Sequence, residues 1–251
     1  MSAEAALTAK GLYKRFGAVV AADDVSVTVP KGARLSLIGS NGAGKTTFVN
    51  MVTGYLKPDA GSIHLGREEI TKLAPREVAR RGVCRSFQIP QLCDQLTVLD
   101  NLLIAIGTAG QRFSFFLEAG HEGANEQAHA LLDRFVLEAY ADQPVSELPG
   151  GVRKLVDIAM AMARRPKVLL LDEPTSGVSS DEKFPIMDRV MNALAAEDVA
   201  VLFVEHDMDI VTRYADRVLA FYAGRIIADD PPDAVLRDPE VQKYVTGTGR
   251  A

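Results

Sequence analysis

The chain has 251 residues, of which 47% are hydrophobic and 24% are charged, so it is long enough to bury one substantial core and too apolar for a disordered protein. Its formal net charge of −5 disfavours a nucleic-acid-binding protein, because such proteins usually carry a basic face. The sequence shows neither a secretory signal pattern nor the roughly 18 consecutive apolar residues of a membrane span. We expect any work at a membrane to go through a partner.

Four segments of the chain predict β-strands. The segment over residues 23–30 alternates polar and apolar residues, whereas those over 33–39, 168–172 and 199–206 are almost entirely apolar. Near-continuous apolar runs are typical of strands that are covered on one or both faces, and helical patterns precede the last two. This βαβ rhythm predicts a parallel sheet whose carboxyl ends converge on one ligand-binding edge.

Strand patterns vanish between about Leu92 and Tyr140. Residues 97–107 and 125–140 carry apolar side chains at three- and four-residue spacing, which predicts two helices joined by a loop over 110–123. Another helical pattern covers residues 152–163, directly after the segment "LPGG". We therefore predict a helical insertion in an α/β protein.

Cys84 and Cys93 have no further Cys or His near them in the chain, so we expect reduced thiols and not a disulfide framework or a zinc site.

The segment "GSNGAGKTT" fits the phosphate-binding pattern G-x-x-x-x-G-K-[ST] between a predicted strand and a predicted helix. Its backbone N–H groups can turn towards phosphate oxygens, Lys45 can reach the β- and γ-phosphates, and the Thr46 hydroxyl suits Mg²⁺. A dinucleotide-binding fingerprint is rejected because the third glycine is missing. The candidate nucleotide-binding residues are Gly39, Ser40, Asn41, Gly42, Ala43, Gly44, Lys45, Thr46 and Thr47.

Two acids follow the strand over residues 168–172. Asp172 can hold Mg²⁺ through its water shell, and Glu173 can polarise an attacking water. His206 follows the last apolar strand, so it belongs to the same sheet edge, where its imidazole could donate to a γ-phosphate. An acidic turn and a structural histidine are the alternative interpretations.

Together these motifs resemble the ATP-binding subunit of an ABC transporter, and the resemblance covers nearly the whole chain. "GSNGAGKTT" is similar to the Walker A loop, "VLLLDEP" to Walker B with the catalytic glutamate at Glu173, and "LPGGVRK" to the signature motif. Gln88 in "RSFQIPQL" resembles the Q-loop glutamine, His206 the switch histidine, and Phe16 in "KRFGAVVA" the aromatic residue that stacks on adenine. "SGVSSDE" takes the D-loop position.

The resemblance implies a single ATPase domain over residues 1–251. Residues 1–88 and 165–251 would form the P-loop NTPase core, an α/β unit with a mainly parallel sheet and an N-terminal antiparallel β portion. Residues 89–164 would form a helical subdomain that carries the signature motif.

The resemblance also implies ATP and Mg²⁺ as ligands and a head-to-tail dimer. Glu173, His206 and Gln88 would be the catalytic residues, and the metal ligands would be Thr46, Gln88 and Asp172. Gly150 and Gly151 would present backbone N–H groups at a helix N-terminus to ATP held by the other subunit. On local pattern alone, a Pro-Gly-Gly turn that begins a helix explains these glycines equally well.

The chain departs from the family pattern in two places. Pro149 and Val152 stand where the signature motif usually has serine and glutamine, and Val178, Ser179 and Ser180 replace the usual D-loop residues. Proline suits the first turn of a helix, but the serine hydroxyl that donates to the γ-phosphate is lost. We therefore predict a heterodimer with two unequal sites.

The segments "RSFQIPQLCDQLTVLDNLLIA", "FVEHDMDIVTRYADRV" and "DPEVQKYVTG" resemble the branch that serves importers of branched-chain amino acids, amides, urea and organic acids. This branch implies an ATPase that powers import through membrane permease subunits. The further partners implied are a second nucleotide-binding subunit and, indirectly, a periplasmic or extracellular solute-binding protein. The chain would lie peripherally on the cytoplasmic face of the inner membrane, with the surface around residues 88–99 as the receptor for a permease helix.

Two other classes of protein stay open at this point. One is a soluble ABC ATPase for DNA repair or cluster assembly, which a basic face or long coiled-coil insertions would favour; neither is visible. The other is an interaction module that binds ATP but scarcely hydrolyses it, for which the altered signature is the support. A P-loop kinase fits less well, because the pair Asp172 and Glu173 suits water activation.

Overall fold

The computed structural model describes residues 4–86, 88–109, 119–195 and 197–247. The strands are β1 Ala5–Phe16, β2 Val19–Pro30, β3 Arg34–Gly39, β4 Ala60–Leu65, β5 Glu68–Glu69, β6 Val83–Ser86, β7 Val168–Asp172, β8 Ala200–Val204, β9 Arg217–Tyr222 and β10 Arg225–Asp230. The helices are α1 Lys45–Val52, α2 Pro75–Arg81, α3 Val98–Ala109, α4 Ala119–Phe135, α5 Gly150–Met162, α6 Lys183–Leu194, α7 Met208–Tyr214, α8 Pro232–Arg237 and α9 Pro239–Val241.

The central sheet has the strand order β10-β9-β3-β8-β7-β6. The pairs β9–β3, β3–β8, β8–β7 and β7–β6 are parallel, and only the edge strand β10 is antiparallel to its neighbour. The mainly parallel sheet predicted from the sequence is therefore confirmed. Strands β3, β8, β7 and β6 are consecutive neighbours in this order, and their carboxyl ends lie at the same edge of the sheet.

The side chains of β7 alternate between two cores. Leu169 and Leu171 pack into a core with helices α3 to α6, whereas Val168 and Leu170 face a second core with α1 and the N-terminal strands. These four side chains are 0–2% exposed. Burial on both faces is the physical reason for the continuous apolar run in the sequence.

The N-terminal strands form a second sheet with the order β2-β1-β4-β5, and all of its pairs are antiparallel. This confirms the predicted antiparallel β portion. Leu7, Leu12 and Val29 are fully buried in the core that this sheet shares with α1 and the central sheet. The second sheet therefore covers one face of the central sheet next to the phosphate-binding segment.

Helices α3, α4 and α5 pack on one another on the opposite side of the central sheet. The helix predicted over 125–140 is observed as α4, but it ends at Phe135, because Val136 takes a left-handed backbone conformation with φ 56°. Of the predicted loop over 110–123, residues 110–118 lie outside the described residues, and Ala119 already begins α4. Across the described ranges, no helix is long and apolar enough to cross a membrane.

Candidate functional site

The strand order brings four loops together at the carboxyl edge of the central sheet. The phosphate-binding segment follows β3, His206 follows β8, Asp172 and Glu173 lie at the end of β7, and Gln88 follows β6. A cavity of about 420 Å³ lies between them. Its lining residues are Asn41, Gly42, Ala43, Gly44, Lys45, Thr46, Thr47, Arg85, Gln88, Ile89, Gln91, Asp172, Glu173, Val204 and His206.

The phosphate-binding segment is closed on itself by Lys45. Its Nζ donates hydrogen bonds to the backbone oxygens of Gly39 at 2.6 Å and Ser40 at 3.1 Å. Burial lowers the pKa of Lys45, and the negative charges of Glu173 and Asp172 oppose this effect. The lysine thus places a cation at the floor of the cavity, at the N-terminus of α1, where the helix dipole also favours an anion.

Gly44 precedes α1 and has φ 111°, a value that disfavours any side chain. A Cβ atom at this position would lie 2.7 Å from the backbone oxygen of Ala21. The glycine therefore lets the N-terminus of α1 approach the second strand closely, which helps to fix the loop beside the cavity.

Of the three residues predicted for hydrolysis, Glu173 contacts both of the others. Gln88 Nε2 donates to Glu173 Oε2 at 2.7 Å, and His206 Nε2 lies 3.3 Å from Glu173 Oε1. Glu173 has a left-handed backbone with φ 48°, and its N–H donates to the Val204 oxygen at 3.0 Å. Such a conformation is costly for a residue other than glycine and is often found at functional sites. Here it directs the carboxylate between Gln88 and His206.

Asp172 is held by Arg85, a residue that the sequence did not single out. Arg85 Nη2 donates to Asp172 Oδ2, and Nη1 donates to Asn50 Oδ1 on α1 at 2.8 Å. The Arg85 side chain is only 11% exposed. An arginine three residues before Gln88, in the short and mostly apolar segment "GVCRSF", was the available signal, but β6 had not been predicted as a strand.

Glu205 is a second site residue that the sequence analysis missed. It is 3% exposed and accepts hydrogen bonds from the N–H and Oγ1 of Thr175 at 3.1 Å and 2.8 Å. Its other oxygen accepts from the His206 N–H at 3.2 Å. The buried carboxylate thus joins the segment after Glu173 to the backbone of His206. Its position beside His206 in "VEHD" was the only signal in the sequence.

The side chains present fit a magnesium ion. Thr46, Gln88 and Asp172 all line the cavity and offer hydroxyl, amide and carboxylate oxygens, the hard donors that Mg²⁺ prefers. In the part of the chain that the structure describes, no three His, Cys, Asp or Glu residues are grouped as a protein-only metal site.

Phe16 and the two glycines of the predicted signature lie away from the cavity lining. Phe16 ends β1 with 50% of its surface exposed, and Lys14 Nζ lies 5.7 Å from its ring centre. Gly150 begins α5 and is exposed, whereas Gly151 is buried, and a Cβ there would lie 2.5 Å from Ile186 Cδ1. The two glycines are therefore not equivalent, because only Gly150 is open to a ligand from outside.

Comparisons with known proteins agree on one family. The family model described as "ABC transporter" matches residues 22–176, which is more than half of the chain. The "Probable branched-chain amino acid transport ATP-binding protein LivG" of Archaeoglobus fulgidus is 35% identical over 246 residues, with coverage of 96% of this chain and 95% of the relative. The "High-affinity branched-chain amino acid transport ATP-binding protein BraF" of Pseudomonas aeruginosa is 34% identical over 248 residues, with coverage of 96% and 97%.

A solved structure described as the ADP conformation of an ATP-binding cassette of an ABC transporter superposes with a TM-score of 0.82. It is 34% identical, and the match covers 95% of this chain and 97% of that one. The likeness therefore includes both sheets and the helices packed on them.

Proposed function

Because this chain belongs to the ABC transporter family and is an ATPase subunit of that kind, we propose that it hydrolyses Mg²⁺-ATP to power the uptake of a small polar solute. Branched-chain amino acids are the first candidates, since the relatives with that name match the chain over nearly its full length. The solute would pass through separate permease subunits.

One observation carries the proposed chemistry, namely the contact of Glu173 with both Gln88 and His206 above the Lys45 loop. In-line transfer of a phosphoryl group to water needs an oriented water and neutralised charge more than covalent help. The Glu173 carboxylate is held on both sides, so it can accept a proton from a water in a defined direction. Lys45, the loop N–H groups and the N-terminus of α1 would bind the phosphates.

Mg²⁺ would neutralise phosphate charge when bound, and Thr46, Gln88 and Asp172 are the residues proposed to hold it. His206 Nε2 would donate to the γ-phosphate, and the buried Glu205 would hold the His206 backbone for that purpose. Phe16 would stack on adenine, which its exposed ring at the end of β1 permits.

The test is ATP hydrolysis by the purified chain assembled with its permease and nucleotide-binding partners. Glu173→Gln keeps the size of the side chain but removes the base, so we expect kcat to fall at least about 100-fold, the lower end for general-base catalysis, while ATP still binds. The matched control is Glu138→Gln, because Glu138 is exposed and lies outside the cavity. Normal turnover by Glu173→Gln would show that another group is the base.

The proposal includes a head-to-tail pair of nucleotide-binding subunits. The first N–H groups of α5 have no partner within the helix, and Gly150, which begins the helix, is exposed and carries no side chain to cover them. These features support contact with ATP held by the other subunit. Pro149 has no hydroxyl to add, so we propose a heterodimer in which the site completed by this chain differs from the other.

A surface groove supports the proposed contact with a permease. The groove has a volume of about 510 Å³ and lies between α2, α3 and α5. Its lining includes Tyr55 and Ile104, which are 59% and 41% exposed. Arg85 and Gln91 line both this groove and the nucleotide cavity. A helix docked in the groove would therefore lie next to Arg85, which binds Asp172.

We further propose that the chain lies peripherally on the cytoplasmic face of the inner membrane, with a solute-binding protein on the far side of the permease. The predicted division into a core of residues 1–88 and 165–251 and a helical subdomain of residues 89–164 is part of the same proposal. In it, the groove lies where the two parts meet.

A further inference from the structure

Helix α5 carries two buried charged residues that the proposed chemistry does not use. Lys154 is 3% exposed and Asp157 is 7% exposed. They are three residues apart, so they lie on the same face of the helix. Buried charges are costly unless they are well paired, so two buried charged residues on one face of α5 call for a specific role.

Both side chains bind the segment that carries Gln88. The Asp157 carboxylate accepts a hydrogen bond from Ser86 Oγ at 2.5 Å and from the Gln91 N–H at 3.3 Å. Lys154 Nζ donates to the backbone oxygen of Gln88 at 3.3 Å and to that of Asp172 at 3.3 Å. Burial lowers the pKa of Lys154, and the negative charge of Asp157 is the largest effect opposing it.

The segment held in this way has no regular backbone structure of its own. Residues 88–92 form a bend and coil between β6 and α3. A segment of this kind depends on side-chain hydrogen bonds for its position. The bonds from Asp157 lie on both sides of Gln88, and the bond from Lys154 lies on Gln88 itself.

We propose that Lys154 and Asp157 are positioning residues that hold Gln88 against Glu173 and make the Gln88 segment move together with α5. The inference rests on the proposed ATPase function, because it assigns the pair a purpose through Gln88. Helix α5 begins at Gly150, about one turn before Lys154. The pair would therefore connect the N-terminus of α5, which we propose contacts the other subunit, with Gln88 in the chain's own cavity.

The first experiment compares Asp157→Asn and Lys154→Met with wild type in the assembled complex. We expect kcat to fall at least about tenfold in each variant, while the KM for ATP changes less than about threefold, because the hydrogen bonds given above join the pair to the Gln88 segment and to Asp172 and not to the phosphate-binding segment. The matched control is Arg134→Met, which removes a cation from α4. Arg134 binds Glu197 and the Ala193 oxygen away from the cavity, so we expect its kcat to stay within about twofold of wild type.

A double variant separates positioning from a merely structural role. If Asp157 acts through Gln88, Asp157→Asn combined with Gln88→Ala should be no slower than Gln88→Ala alone. Independent losses that multiply in the double variant would overturn the inference. Hydrogen exchange gives a readout without activity, and we expect faster exchange at residues 88–92 in Asp157→Asn with unchanged exchange in α1.

The outcomes also separate this inference from the proposed function. A wild-type complex that does not hydrolyse ATP contradicts the function, whereas active variants with wild-type kcat contradict only the role of the pair. If Asp157→Asn does not fold, Ser86→Ala removes one bond of the same set by deleting a hydroxyl. We expect a loss of about threefold in its kcat with unchanged KM, and an unchanged kcat would overturn the inference.

Discussion

At the residue scale, the two cysteines show how burial changes the chemistry of one side-chain type. Cys84 is 4% exposed in β6, and its burial raises the pKa of the thiol to about 11. Cys93 is exposed in the segment before α3. Both are free thiols, as the sequence predicted, but only one of them is accessible to reagents.

We therefore expect iodoacetamide at pH 8 to alkylate Cys93 and to spare Cys84, because the thiolate is the reactive form and Cys84 is both buried and protonated at that pH. Mass spectrometry of the native protein gives the number and position of the labels. Cys93→Ser should take no label until urea is added and should then take one. Equal labelling of both thiols in the native protein would show that β6 opens readily.

At the element scale, the turn from β3 into α1 depends on glycines for two different reasons. Gly42 has φ 79°, and an added Cβ atom would have no neighbour within 4 Å, so only its backbone conformation disfavours a side chain. Gly44 has φ 111°, and a Cβ atom would also collide with the Ala21 oxygen. The first glycine is required by conformation alone, and the second also by packing against β2.

Gly42→Ala should lower the free energy of unfolding by about 1 to 2 kcal/mol, the cost of a non-glycine residue with left-handed backbone. Gly44→Ala should lower it further, because a backbone oxygen must shift as well. Urea denaturation with a common m-value measures both changes. If both variants lower the free energy of unfolding by the same amount, the close approach of α1 to Ala21 adds nothing to the cost of alanine at Gly44.

At the scale of the whole molecule, we expect the surface around Pro149 to affect activity only in an assembly. Pro149 precedes α5 with φ −55° and ψ 149° and offers no side-chain hydrogen bond. Pro231 precedes α8 with nearly the same angles, φ −55° and ψ 151°, and also offers none. Pro231→Ser is therefore a matched control for Pro149→Ser, because both substitutions introduce a serine before a helix.

We expect Pro149→Ser to raise ATP hydrolysis of the assembled complex at least about threefold, because a hydrogen bond to a charged group contributes about 1.5 to 3 kcal/mol. Pro231→Ser should leave the rate unchanged, although it adds a similar helix cap. The isolated chain should respond to neither substitution. Robust hydrolysis by the isolated chain that is insensitive to Pro149→Ser would remove the case for two unequal sites.

The sequence by itself predicted the parallel sheet, the helical segment and the family, since each rests on local information. Buried strands such as β3 and β7 must be apolar throughout, and the loop from Gly39 to Thr47 must bring its glycines, Lys45 and Thr46 together within nine positions of the chain. Helix ends were less predictable: α4 stops at Phe135 because the backbone of Val136 is left-handed, and no residue type announces that change.

The tertiary structure decided which distant side chains share the site. Arg85 meets Asp172 because β6 is the neighbour of β7, and Lys154 meets Gln88 because α5 packs next to β6. Their partners lie 87 and 66 positions away in the chain. A local pattern cannot specify contacts at such separations, because they arise only when the order of the strands and the packing of α5 bring the segments together.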